Sequence, residues 1–145
     1  LNLYKLSKKF NDNKLKVRSL LFIVKCYLRL DEINNALEMQ DELRNCSCSN
    51  EDAIERDLLV AKLFIVSSSP EPALQLLNKL QKDKELNDSQ RISSRMLLAE
   101  LYDNKEDDKR SLELYMQVLK DVNLDAIERI NVLYCMCDVI IRFRV

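Results

Sequence analysis

The chain has 145 residues and a formal net charge of −1, a length that suits one compact domain or one repeat array. Apolar residues make up 47% and charged residues 32%, a globular balance and not a disordered one. Gly and His are absent and Pro occurs twice, which excludes Gly-dependent hairpins, Gly-rich phosphate loops and any His-assisted Ser or Cys nucleophile.

The chain opens LNLYKLSKKF, with neither an initiator Met nor a signal-peptide pattern, and reads as an internal piece of a longer protein. Leu3, Leu6 and Phe10 mark residues 1–16 as a flanking helix. Residues 1–30 hold eight Lys/Arg against Asp12 alone, whereas residues 31–60 hold nine Asp/Glu against Arg44 and Arg56. A divided charge of this kind is unlike the uniform basic face of a nucleic-acid binder. The first segment still supplies Lys5, Lys8, Lys9, Lys14 and Lys16 for phosphate contacts and Tyr4 and Phe10 for stacking, so nucleic-acid association stands as an alternative.

Three longer segments follow, at 17–50, 54–87 and 92–125, and they share one internal spacing. In the third, Ala99 is followed after three residues by Tyr102, after nine more by Ser111 and after four more by Tyr115. Val24, Tyr27, Ala36 and Gln40 repeat those offsets, as do Ala61, Phe64, Ala73 and Leu77. An apolar residue precedes each small one (Ile23, Val60, Leu98), and another closes each set (Leu43, Leu80, Val118). The spacing predicts two helices per segment, each with an i, i+3, i+4 stripe. Small residues let the helices approach, and the aromatic fills the groove beside them. The breakers Leu30-Asp31-Glu32, Ser67 to Pro70 and Asp103 to Asp108 separate the helices. Ser69 reads as an N-cap with Pro70 at the first helical position, and less strongly as a proline-directed phosphorylation site. Residues 126–145 read as one more helix, whose apolar tail VIIRFRV predicts packing against further chain or a partner.

This arrangement resembles the tetratricopeptide repeat over residues 17 to 125, best in the third copy. Val24 and Gln40 depart from the family pattern, the closing proline is missing, and the 37 to 38 residue period exceeds the usual 34. The departures also fit the helical repeats that precede proteasome-lid and signalosome-type winged-helix domains. The resemblance implies an all-α fold: a right-handed α-solenoid of antiparallel helix pairs, about three repeats plus flanking helices, in a single domain over 1–145. It further implies a concave groove that grips a protein segment. The groove positions are Arg18, Leu21, Lys25 and Arg29 in the first copy, Leu58 and Lys62 in the second, and Met96, Glu100, Asp103 and Asn104 in the third. The carboxylate clamp of chaperone-tail binders is not expected, because Leu21, Lys25, Leu59, Ser93 and Leu97 occupy its places.

Chemistry-bearing residues are sparse. The acidic turn from Asp103 to Asp108 reads as solvated charge, and it lacks the glycine and terminal glutamate of a calcium loop. Cys46-Ser-Cys48 and Cys135-Met-Cys137 are too far apart in an array for one zinc site, so neither metal nor cofactor is expected. Five cysteines, an odd number, favour a reducing intracellular compartment, cytoplasmic or nuclear. No apolar run approaches the roughly 20 residues of a membrane span. The expectation is a non-enzymatic protein–protein interaction scaffold, with Val139, Ile140 and Phe143 as an end-on interface and self-association through the C-terminal helix as one mode. A helical-repeat region of a larger enzyme or of a proteasome-lid-like subunit is the other alternative.

Overall fold

The computed structural model describes residues 5, 9, 12–121 and 123–144, the side chains of 143 and 144 excepted. The flanking helix expected over 1–16, with Tyr4 and Phe10, therefore lies mostly outside the described residues. Among those described there are seven α-helices and no strand: α1 (Asn13–Arg29), α2 (Ile33–Arg44), α3 (Asn50–Val66), α4 (Pro70–Gln81), α5 (Asp88–Asn104), α6 (Asp108–Leu119) and α7 (Ala126–Arg144). The all-α expectation is met. Helix lengths alternate between 17 and 12 residues from α1 to α6, and α7 has 19.

The same turn ends each 17-residue helix. Asp31, Ser68 and Glu106 adopt the left-handed conformation, with φ of 58°, 57° and 58°. The residue after each donates its N–H five positions back into the helix: Glu32 to the Tyr27 carbonyl, Ser69 to Phe64 and Asp107 to Tyr102, at 2.9, 2.8 and 2.9 Å. This is the Schellman closure, which satisfies carbonyls that a helix end would leave unpaired. Glycine normally takes the left-handed place; this chain has none and carries the strain on Asp, Ser and Glu. Each left-handed residue lies seven positions after Val24, Ala61 or Ala99, so the turns recur at the spacing of the small residues.

The chain divides into two compact units, Leu1–Ser69 and Pro70–Val145, and the division falls inside the span 54–87. In the first unit α1 and α2 pack as a hairpin, and α3 packs on both. Val17, Leu20, Leu21 and Val24 are buried at i, i+3, i+4, i+7, one stripe of α1. Asp12 caps α1 by accepting from the Leu15 N–H at 2.9 Å, and Ser49 caps α3 by accepting from Asp52. Ion pairs lace the surface: Lys16 with Glu42 at 3.5 Å, Arg18 with Asp52 at 3.7 Å, and Lys25 with Glu55.

In the second unit α5 packs on α4 and α6, and α7 packs on α6. Pro70 opens α4, as its sequence position predicts. The core gathers Ile92, Ala99, Tyr115, Val118, Val132 and Val139, with Met96, Cys135 and Met136 packed against it. Asn87 and Gln90 form a reciprocal capping box at the start of α5. Asp125 and Glu128 do the same for α7, at 2.9 and 2.7 Å. The Arg129 guanidinium then donates to the Leu119 and Asp121 carbonyls at 2.9 and 3.0 Å, tying α7 to the end of α6.

Candidate interaction groove

The second unit contains an open groove of about 610 Å³ between α5 and α7. On α5, Ile92, Met96 and Glu100 fall at i, i+4, i+8 and so share one face. On α7, Glu128, Val132 and Cys135, with Asp138 after them, form the opposite wall. Tyr115 of α6 lies at the base. The α5 wall runs from Ile92 to Asn104, which at 1.5 Å per residue is about 18 Å of helix. An opening of that length suits a peptide segment better than a compact small molecule.

The lining is mixed: Ile92, Met96, Leu124 and Val132 are apolar and stand among Ser93, Glu128 and Asn131, and Glu100, Asp103 and Asp138 follow toward the C-terminal parts of α5 and α7. The lining includes four carboxylates, with Glu128 the fourth, and neither a Lys nor an Arg. Arg142 of α7 bonds Asp103 beside the groove and approaches Asp108 to 3.8 Å, so the fold neutralises part of that acidity. Burial, followed by the neighbouring Cys135, pushes the Tyr115 hydroxyl well above the usual phenol range. Tyr115 is therefore a neutral packing and hydrogen-bonding group and not a proton shuttle at neutral pH.

Met96, Glu100, Asp103 and Asn104 all line this groove. The remaining groove candidates belong to the first unit. Arg18, Lys25 and Arg29 are exposed on α1, and the first two face acidic partners on α3. Leu21 is only 3% exposed and is part of the core, because it lies on the α1 face that meets its neighbours. Leu58 and Lys62 are half-buried on α3. Of the end-on residues, Val139 is completely buried in the core, Ile140 is exposed and the Phe143 side chain lies outside the described residues.

Two features were not singled out from the sequence. One is the α7 wall of the groove, Val132, Cys135 and Asp138. The other is an outer stripe on α7, where Ile127, Ile130, Tyr134 and Ile141 are exposed, Ile127 by 71% and Tyr134 by 69%. With the exposed Cys137 these residues are spaced 3, 4, 3 and 4, the interval of a helix-packing seam. That interval was visible in the sequence. It was obscured because α7 is apolar on its inner face as well.

Among the described residues no group of His, Cys, Asp and Glu is arranged to hold a metal ion. All five cysteines are free thiols. Cys46 donates to the Glu42 carbonyl at 3.1 Å, and burial pushes its thiol up, away from the reactive thiolate. No helix among the described residues is long and apolar enough to cross a membrane. No protein-family model, no curated protein and no solved structure matches this chain.

Proposed function

We propose that this chain is a non-enzymatic protein–protein interaction module, a TPR-like array that holds a segment of a partner in the α5–α7 groove. The observation that carries this reading is the groove itself. Met96, Glu100, Asp103 and Asn104, the face of the best-matching copy, stand opposite Val132, Cys135 and Asp138 across about 610 Å³ of open space. An open cleft that mixes apolar lining (Ile92, Met96, Val132) with polar side chains suits a segment that offers both. The repeat reading is supported by the alternating 17- and 12-residue helices and the turn that recurs at Asp31, Ser68 and Glu106. In this proposal the outer stripe of α7 is the end-on surface, seated against a helix of a neighbouring subunit in an intracellular complex.

The groove reading is tested by isotope-labelled NMR titration of the intact chain with synthetic amphipathic peptides of basic, neutral and acidic composition. Shifts confined to α5 and α7 residues such as Met96, Glu100 and Val132 support it. If no peptide perturbs those residues, the groove is not a binding site and the proposal fails. The nucleic-acid alternative draws on Lys5, Lys8, Lys9, Lys14 and Lys16, of which Lys16 has a carboxylate partner in Glu42, and salt-sensitive binding of RNA or DNA, lost on deleting residues 1–16, is the result that would favour it.

A further inference from the structure

Helix α7 keeps the register of the long helices before it. Val24, Ala61 and Ala99 each lie eleven positions after the first residue of α1, α3 or α5, and Cys137 lies eleven after Ala126. Asp125 stands where Asp12, Ser49 and Asn87 cap those helices. Two places of this register are buried in all three. Val24, Ala61 and Ala99 are completely buried, and seven positions earlier Val17, Ile54 and Ile92 are 1%, 7% and 7% exposed. In α7 the same places hold Cys137, which is exposed, and Ile130, at 65%. The other side of α7 is filled as it is in α5: Val132 and Val139 correspond to Ser94 and Leu101, and all four are buried. In α5 these two sides meet different neighbours. Ser94 accepts from Gln81 of the preceding short helix at 2.8 Å, whereas the Ala99 carbonyl accepts from Ser111 of the following one. The side of α7 left open is therefore the side that α5 turns toward α6.

Resting on the end-on part of the interaction-module reading, we infer that this face seats a short amphipathic helix of the α2 and α6 kind, antiparallel to α7 and supplied by the neighbouring subunit. Its chemistry follows from the pairs already built. In α1 with α2, and in α5 with α6, the short helix brings a completely buried small residue, Ala36 or Ser111, twelve positions after the small residue of the long one. The incoming helix needs such a residue over Cys137, because a larger one would hold the two helices apart. Its apolar stripe then covers Ile130, the counterpart of Ile92, and Ile140, the counterpart of Tyr102, whose ring lies under Arg110 of α6. The face continues the contact that α7 already makes with α6 through Val132 and Val139. Helix α7 of a second copy fits less well, since it offers Ile130, Tyr134 and Ile141 in place of a small residue. The seam from Ile127 to Ile141 is also only about 21 Å of helix, too short to bury the roughly 800 Å² per partner of a stable complex.

The probe is a fluorescent peptide with the α6 sequence Asp107–Lys120, held helical by a staple across positions 113 and 117, both exposed in α6. Anisotropy with the intact chain should show saturable binding. The same peptide with Ser111→Leu should bind about tenfold more weakly, and so should the unsubstituted peptide to the Ile130→Ser chain. Phe22→Ser, which removes an equally exposed apolar side chain from α1, should change nothing. Alkylation read by mass spectrometry locates the peptide, which should protect Cys137. Equal binding of the two peptides overturns the inference. Protection of Cys135 in place of Cys137 also overturns it, because the peptide would then lie in the groove, whose reading would stand. Self-association that Ile130→Ser abolishes would assign the face to a second copy. Peptide binding that is lost in a longer form of the chain would assign it to that chain's own helix, and either result overturns the partner assignment. If no peptide binds and the chain stays monomeric, the end-on surface falls with the inference, and the groove keeps its separate test.

Discussion

Ser111 on α6 donates its hydroxyl to the Ala99 carbonyl on α5 at 3.0 Å, and both residues are completely buried. The contact explains why small residues recur at these positions. A backbone carbonyl and a side-chain oxygen can meet this closely only if neither residue carries more bulk, and a buried hydroxyl without a partner would be costly. Ser111→Ala removes the bond but leaves the carbonyl its helical partner, so a loss of about 1 kcal/mol is expected. Ala99→Leu forces the helices apart and should cost more, about 3 kcal/mol. Urea unfolding at constant slope measures both; equal effects would show that the closeness of the helices is not what the small residues provide.

Glycine should help where the chain forgoes it. Glu106 holds φ of 58° at an exposed turn, and a left-handed non-glycine residue costs roughly 1–2 kcal/mol. Part of that gain is offset by the greater freedom of glycine in the unfolded chain. Glu106→Gly is therefore expected to stabilise by about 0.5–1 kcal/mol, seen as a rise in Tm. A fall would mean that the glutamate side chain contributes more than its backbone strain costs.

The two faces of α7 should respond oppositely to truncation. Val139 is fully buried, and Val139→Ala should destabilise by about 2 kcal/mol through lost transfer energy and a cavity. Ile130 is 65% exposed, so Ile130→Ser should move stability by no more than about 0.5 kcal/mol in the isolated chain. Thermal unfolding of the two variants side by side checks the assignment. A reversed order would place the wrong face inward.

Tyr115 should make the protein sensitive to alkali. Its folded hydroxyl titrates above the ordinary value of 10.0 because burial disfavours the phenolate. From pH 10 upward the unfolded chain gives up this proton more readily than the folded one, so stability contributed by the neutral phenol falls as pH rises. Below that window the contribution is fully present. The slope from this one group can approach about 1.4 kcal/mol per pH unit. Tyr115→Phe should flatten the alkaline decline relative to the parent; unchanged slopes would sink the assignment. The variant also removes a hydroxyl at the base of the groove, so peptide affinity measured at neutral pH separates the two roles.

Much of the local structure was legible from residue order. The absence of glycine, the apolar stripe at Val17, Leu20, Leu21 and Val24, and the breakers at Asp31, Ser68 and Glu106 act over a turn or two of helix, within reach of the sequence periodicity. Helix identity, the place of Pro70 at the start of α4 and the burial of Ala99 and Ser111 therefore follow from spacing alone. The groove was legible only on its α5 wall. Met96, Glu100, Asp103 and Asn104 could be placed on one face, but nothing local to them names Val132, Cys135 or Asp138 as their opposite side.

Tertiary structure decided what periodicity leaves degenerate. Leu21 and Lys25 share one helix face by spacing, and only the neighbouring helices put one in the core and the other beside Glu55. The same holds for α7, where Val139 and Ile141 are equally apolar and two residues apart. A helix that is apolar on both faces carries no signal for which face turns inward. Contact with α6 buries Val132 and Val139, and the seam from Ile127 to Ile141 is left outside. Sequence determined the helices, their caps and their turns because those energies are local. The choice of faces, and with it the acidic groove, came from packing between residues distant in the chain.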